Sequence, residues 1–401
     1  MATLEGMARD LGSSHHPVTD WSDERRKEAL RSTRLGHNWI HFGGLRRSLV
    51  RIGFALVAVM ILCSQYWAHD VGPERERLAT TQPQIHHIYD ATDPANRDTA
   101  VVDLVGLGNL NASRTARSLP ALSGIGQVWA VQYDNDGIDT AVISRIITTY
   151  AQSLGIDQIV LIGHSMGGII ALEVATHIVE NTDVRLRAVI LDCTPMNLHA
   201  VRAHSRSAGE DLLRWMGWLP GARESRGLRL FVETAARKNR FVLTDDEAHP
   251  VLDPGAFVTT VRGVLRQKIF NPNSASNGLI QSQFRTIVAS GATDDLAAID
   301  DAADDRPFPA IVFMRPDFGT DDPVVDVDYS QELLFEETGG PKGRLFVVRM
   351  TSTGHANPMQ QPEAYNAAIH NEVAPYLQQL EIEESGTAAA GAAIQASAPP
   401  G

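Results

Sequence analysis

Cysteine is scarce in this 401-residue chain, which has two, Cys63 and Cys193. That excludes a disulfide framework, and no Cys/His spacing fits a zinc site. Basic residues are the minority, 35 Lys and Arg against 48 Asp and Glu, for a net charge of -13. Binding nucleic acid needs a basic stripe, so the charge balance argues against such a partner. Internal repeats are lacking. The acidic run Asp294, Asp295, Asp300, Asp301, Asp304 and Asp305 does not have the spacing of a calcium loop and reads as a solvated connection. Long apolar runs are lacking too, with one exception near the N-terminus.

That exception is residues 52–67, which no charge interrupts. Arg46, Arg47 and Arg51 precede it; Asp70, Glu74 and Glu76 follow, diluted by Arg75 and Arg77. Positive residues stay on the cytoplasmic side, so the rest of the chain is expected to cross. The run is near the lower limit of the roughly 20 apolar residues that span a bilayer. Residues 46–68 therefore read as a signal anchor or a signal peptide, and the main domain as membrane-anchored outside the cytoplasm or secreted. The absence of an Ala-x-Ala site around 64–72 favours retention. Arg46-Arg47 also resembles a twin-arginine export signal, Leu62 before Cys63 makes a poor lipoprotein site, and a buried core helix is the remaining alternative.

Residues 1–45 mix charges with His, Ser and Gly and read as a flexible cytoplasmic arm, with a short helical pattern at 21–34. Residues 383–401, rich in Ala, Gly, Ser and Pro, read as a disordered tail. Residues 85–382 remain, a length within reach of one large domain.

Six short apolar runs punctuate that domain: 100–105, 127–131, 158–162, 188–191, 310–314 and 345–348. Each is rich in β-branched residues and apolar on both faces, the pattern of strands in a parallel sheet covered on both sides. Helical patterns lie between them at 139–154, 168–179 and 362–380. The expected class is α/β, a mostly parallel central sheet with helices on both faces. Residues 197–305 interrupt the alternation with a mostly helical pattern and read as an inserted cap.

The third apolar run ends in Gly163-His164-Ser165-Met166-Gly167-Gly168, followed by a helix former run. Strand, sharp turn and helix are the context that G-x-S-x-G requires. The turn projects the serine hydroxyl above the sheet, and Gly163 and Gly167 remove side chains that would collide with it. A glycine-rich turn of no chemical meaning is the competing reading.

This stretch resembles the α/β-hydrolase superfamily, and is similar to the esterase, lipase and peroxidase-like members with Gly-His-Ser-Met-Gly-Gly at the turn. The resemblance covers roughly residues 97–200 and 307–380. It implies an α/β-hydrolase fold, a nucleophile at Ser165, and an acid and then a histidine later in the chain. Thr353-Gly354-His355, followed by Gln361-Pro362-Glu363, looks like the family's histidine loop and makes His355 the base. His370 and His249 are weaker rivals. After the fifth run, Asp321-Asp322-Pro323-Val324-Val325 contains the family's Asp-Pro-x-Val, which favours Asp322 as the acid. Asp321 is the first alternative; Asp317 and Asp192 follow. An oxyanion hole would take backbone N–H groups from Met166 and from Leu107, in Val105-Gly106-Leu107-Gly108. The family often has His-Gly where this chain has Val105-Gly106, which leaves the support of that loop open.

Trp215, Met216, Trp218 and Leu219 either line an acyl pocket or, more simply, pack the cap onto the main domain. The expected activity is serine hydrolysis of a carboxylic ester or related small acyl substrate, with no metal and no organic cofactor. A non-catalytic binding protein of the same fold is the alternative, as is a haloperoxidase, a peptidase or an acyltransferase using the same residues.

Overall fold

The computed structural model describes residues 23–33, 43–244, 250–271, 273–302, 308–340 and 343–384. The chain divides into two units, Met1–His69 and Asp70–Gly401. The described part of the first holds α1 (Asp23–Ser32), within the helix expected at 21–34, and α2 (Gly43–Tyr66). Helix continues from Gly43 to Leu78. Among the described residues it is the one helix long and apolar enough to cross a membrane. None of its most apolar stretch is buried, so it is not the core helix of a soluble domain. His249, the rival histidine in the cap, and Asp304 and Asp305 lie outside the described residues.

The second unit begins with α3 (Gly72–Leu78) and is built on a seven-stranded sheet. The first strands are β1 (Gln84–Tyr89), β2 (Thr99–Leu104), β3 (Gln127–Gln132), β4 (Gln158–His164) and β5 (Arg185–Asp192). Between them run α4 (Ser113–Ser118), α5 (Thr140–Leu154) and α6 (Met166–Asn181). Then comes the insertion: α7 (Ala203–Trp218), α8 (Arg226–Ala235), a ribbon of β6 (Val242–Thr244) and β7 (Pro250–Leu252), α9 (Pro254–Val264), α10 (Asn277–Val288) and α11 (Ala292–Asp301). The chain returns to the sheet with β8 (Ala310–Pro316), α12 (Val327–Glu337), β9 (Leu345–Met350) and α13 (Pro362–Ala368).

The sheet order is β1-β3-β2-β4-β5-β8-β9. Every neighbouring pair is parallel except β1 with β3. β2 and β8 are buried along their whole length, as Val- and Ile-rich strands covered on both faces must be. The helices follow from local chemistry. In α5 the Asp139 carboxylate accepts from the Val142 N–H at 3.0 Å and caps the first turn, while Ile143, Ile147 and Ala151 face the core. The pairings Leu104↔Gly163 and His164↔Asp192 bring the carboxyl ends of β2, β4 and β5 level. Ligands of open α/β sheets bind at that edge.

Besides the unanticipated helices α3, α4 and α12, three elements differ from the sequence expectation. β1 is an additional edge strand; its Gln-Ile-His-His-Ile-Tyr sequence is partly exposed, so it lacks the apolar run of the inner strands. The β6–β7 ribbon is also additional, with strands of three residues each, too short to show a period. The acidic run is no solvated connection: Asp294, Asp295, Asp300 and Asp301 belong to α11, which packs on α6 by burying Ala292, Leu296 and Ile299. Its acidic face accompanies a core face. The closing helix continues from α13 through a π-helical turn, Ile369–Val373, to residue 384, where Glu384 pairs with Arg185 and Arg344.

Candidate active site

Ser165 stands at the turn between β4 and α6 with φ 55° and ψ -123°, a conformation that L-residues rarely adopt. Two backbone bonds hold it there. Its N–H donates to Asp192 O at 2.7 Å, and its carbonyl accepts from Gly168 N–H at 2.9 Å. The flanking glycines are required by contact: a Cβ on Gly163 would fall on the Gly167 carbonyl, and one on Gly167 would fall on the Leu104 carbonyl.

His355 Nε2 lies 2.8 Å from Ser165 Oγ, and His355 Nδ1 lies 2.8 Å from Asp322 Oδ2. The structure thus brings together three residues from three loops, after β4, β8 and β9. Asp322 is fully buried, and its other oxygen, Oδ1, accepts from the N–H groups of Val324 and Val325, both at 2.8 Å. Those bonds aim the carboxylate. Arg202, which sequence reasoning missed, holds the backbone of the same loop by donating to the carbonyls of Asp322 and Gly319, each at 2.8 Å. Asp321 is exposed at the end of a short 3-10 turn and does not meet His355. Asp192 is engaged elsewhere, with His164 and Tyr365. His370 is exposed on the closing helix.

Leu107 lines the cavity that contains Ser165, and Gly106 lies against the serine, a Cβ there being 3.3 Å from Ser165 Cβ. Met166 is the first residue of α6, where a backbone N–H has no intrahelical acceptor. Support for the 105–109 loop comes from residues that carry no motif. The buried Tyr133 hydroxyl donates to Val105 O at 2.8 Å. Gln283 of α10, also fully buried, accepts from Gly108 N–H and donates to Asn109 O, both at 2.8 Å. A cap helix therefore braces the loop where the family's histidine is missing.

The cavity measures about 340 Å3, and Leu107, Val201, Phe284, Ile287, Val324 and Met359 give it an apolar lining around Ser165 and His355. Met216 is buried elsewhere in the cap and Trp218 is 76% exposed, so neither lines it. Among the described residues, Cys193, Asp322 and His355 present ligand-type atoms within 4.8 Å of one another. Both nitrogens of His355 already have partners, and burial pushes the Cys193 thiol well up, keeping it protonated. The set suits proton transfer better than metal ligation.

Behind the serine sits a second polar group. His164 is buried between two carboxylates, with Nδ1 2.7 Å from Asp192 Oδ2 and Nε2 3.4 Å from Asp103 Oδ1. Burial by itself would lower the imidazolium; Asp103 and Asp192 outweigh it and push His164 up to about 10. Burial also raises Asp103, partly offset by His164. The Tyr365 hydroxyl donates to Asp192 Oδ1 at 3.0 Å and accepts from Asn357 N–H at 3.1 Å, linking this buried group to the loop that bears His355.

Among solved structures, the chain is similar to a carboxylesterase structure from the thaumarchaeon Nitrososphaera gargenis, at 14% identity and a TM-score of 0.47, covering 75% of this chain and 96% of that one. It is similar to a bacterial membrane phospholipase A at 19% identity and a TM-score of 0.44, covering 84% and 99%. A meta-cleavage product hydrolase from Pseudomonas fluorescens matches at 14% identity and a TM-score of 0.43, covering 74% and 94%. No curated protein matches the sequence. The model of the alpha/beta hydrolase family matches residues 65–368, and the chain belongs to that family.

Proposed function

We propose that the protein is a serine hydrolase that cleaves a carboxylic ester or related acyl compound through an acyl-enzyme intermediate. The observation that carries this reading is the unbroken chain Asp322–His355–Ser165, with 2.8 Å at each link, whose Ser165 and His355 line an apolar cavity. A serine hydroxyl is a weak nucleophile until a base takes its proton. His355 Nε2 takes it as Ser165 Oγ bonds to the acyl carbon. The negative oxygen of the tetrahedral intermediate is met by the N–H groups of Met166 and Leu107. The C–O bond to the alcohol then breaks, and the alcohol leaves with the proton from His355. Water repeats the sequence on the acyl-enzyme, returning the acid and the free serine. Asp322 holds the imidazole in register and stabilises its charged form without taking the proton. The apolar lining suits an acyl group better than a charged substrate.

The helix through residues 46–68 acts in this reading as a signal anchor. Arg46, Arg47 and Arg51 stay on the cytoplasmic side and the hydrolase domain lies outside. Cleavage after export would give a secreted form with the same chemistry.

The test is hydrolysis of p-nitrophenyl esters and labelling by a fluorophosphonate, on wild type and Ser165→Ala. Loss of both in the variant is expected. Undiminished hydrolysis in Ser165→Ala would refute the reading.

A further inference from the structure

We infer that the outer face of α8, α9 and the β6–β7 ribbon rests on an anionic lipid bilayer. The starting point is α8, whose amphipathic character is inverted. Arg229 is buried and donates to Ala275 O at 2.8 Å and to Glu233 Oε1 at 3.1 Å, so the polar side of the helix faces the protein. Phe231 is 70% exposed, with Val232 and Ala235 exposed beside it. A helix that turns its charges inward and its aromatic ring outward has an apolar partner on the outside.

The neighbouring elements repeat this. Phe257 and Val258 of α9, Leu243 and its cross-strand partner Val251 on one face of the ribbon, and Phe270 just beyond are all exposed. They belong to one packed body. α9 packs on α8, the rings of Phe241 and Phe257 meet at 5.2 Å, and Asp253 N–H donates to Phe241 O at 2.8 Å. The exposed apolar residues therefore sit on adjoining elements of one packed body.

Charge selects the occupant. Residues 223–270 hold nine basic and six acidic residues in a chain whose net charge is -13. Arg223, Lys238, Arg240, Arg262 and Arg266 are exposed there. A second copy presenting the same face would bring like charges together. Apolar side chains mixed with Lys and Arg match the interfacial region of a membrane with anionic lipids.

Chain connectivity points the same way. Asp70 accepts from Ser225 Oγ at 2.6 Å and from Arg226 N–H at 2.8 Å, so it caps the N-terminus of α8. Glu74 and Arg75 add ion pairs to Arg226 and Glu224, at 2.6 and 2.9 Å. Ala68 and His69 alone separate Trp67 from Asp70. A helix that spans a bilayer through residue 66 leaves this part of the chain at the bilayer surface. The inference uses the anchor reading and is independent of the chemistry at Ser165.

The experiment uses the full chain in liposomes, with Cys63→Ser to remove the exposed thiol and leave the buried Cys193. Single cysteines at Phe231→Cys, Phe257→Cys and, as a control on α5, Leu154→Cys carry an environment-sensitive fluorophore. Nitroxide lipids then report contact, in phosphatidylglycerol/phosphatidylcholine vesicles and in phosphatidylcholine alone. Quenching at 231 and 257 at least twofold above that at 154, reduced without the anionic lipid and by Arg262→Glu with Arg266→Glu, is the expected result. Circular dichroism melting of that charge-reversed variant checks that it is folded. Equal quenching at all three positions overturns the inference. So does a fluorophore at 231 or 257 that is shielded but unquenched, which would assign the face to a protein partner or a second copy.

Discussion

His164, one residue before Ser165, places its Nδ1 2.7 Å from Asp192 Oδ2. The two residues are register partners at the ends of β4 and β5, and the backbone of Asp192 also holds the Ser165 N–H. One aspartate thus ties the strand before Ser165 to its neighbour by both side chain and main chain. Through Tyr365 it also reaches the His355 loop.

This pair sets a pH dependence of stability. The unfolded imidazole titrates near its ordinary value of about 6.5, and the folded one is pushed up to about 10. A raised histidine stabilises the fold fully below the unfolded value and loses that contribution as pH rises through the folded one. Urea unfolding of the wild type should therefore show stability falling between about pH 6.5 and 10. His164→Asn should be less stable by about 3–5 kcal/mol near neutral pH, because Asp103 and Asp192 lose the cation between them. Its stability should also change less across that window. A wild-type decline no steeper than the variant's would show that His164 is not held as the cation.

The choice between the two adjacent aspartates has a direct kinetic test. Asp322 is buried against His355, and its second oxygen is held by two backbone N–H groups. Asp322→Asn keeps the shape but lets the wrong imidazole tautomer form, and kcat on a p-nitrophenyl ester should fall by roughly 10^4. Asp321→Asn changes an exposed residue and should stay within about twofold of wild type, the usual outcome for a surface change remote from the chemistry. Similar losses in both variants would contradict this geometry.

Gln283 braces the 105–109 loop from the cap with one accepted and one donated bond. Gln283→Leu leaves the Gly108 N–H and the Asn109 carbonyl without their partner, a cost of about 1–3 kcal/mol for each group that stays buried. If the loop supplies an oxyanion donor, its displacement should lower kcat by about 10-fold to 100-fold with a smaller change in KM, because that contact strengthens in the transition state. Steady-state kinetics together with a melting curve separate the two effects. A variant that melts early but keeps full kcat would make Gln283 purely structural.

The inner strands and the turn at Ser165 were legible because their signal is local. A run of β-branched residues buried on both faces has one common reading, and the glycines flanking Ser165 are demanded by contacts within a few residues. His355 and Asp322 were singled out by their order along the chain, and the structure brings His355 within 2.8 Å of Ser165 and within 2.8 Å of Asp322. What distinguishes Asp322 from Asp321 is the pair of N–H groups from Val324 and Val325, which depends on how the loop folds back. The roles of Gln283, Arg202 and the Asp103–His164–Asp192 group were not legible. Each joins residues far apart in sequence, and a buried Gln or Asp looks like a surface one until its partners are in place. The acidic α11 misled for a related reason: its four aspartates obscure the three apolar residues that dock it.

The apolar lining should set acyl selectivity, with Ile287 of α10 the residue to change. It is nearly fully buried and lines the cavity beside Ser165 and His355. Ile287→Ala removes three carbons from a cavity of about 340 Å3. Each methylene buried contributes about 0.8 kcal/mol, roughly fourfold in kcat/KM when it is seated in the transition state. The preferred p-nitrophenyl ester should therefore lengthen by about one to three carbons. Ile287→Trp should do the reverse, favouring acetate over longer chains through KM while the kcat for acetate stays near wild type. The alanine variant will also be less stable, by about 2–5 kcal/mol, so the comparison is made at a temperature where it remains folded. An unchanged chain-length profile in both variants would mean that the acyl group does not enter this cavity past α10.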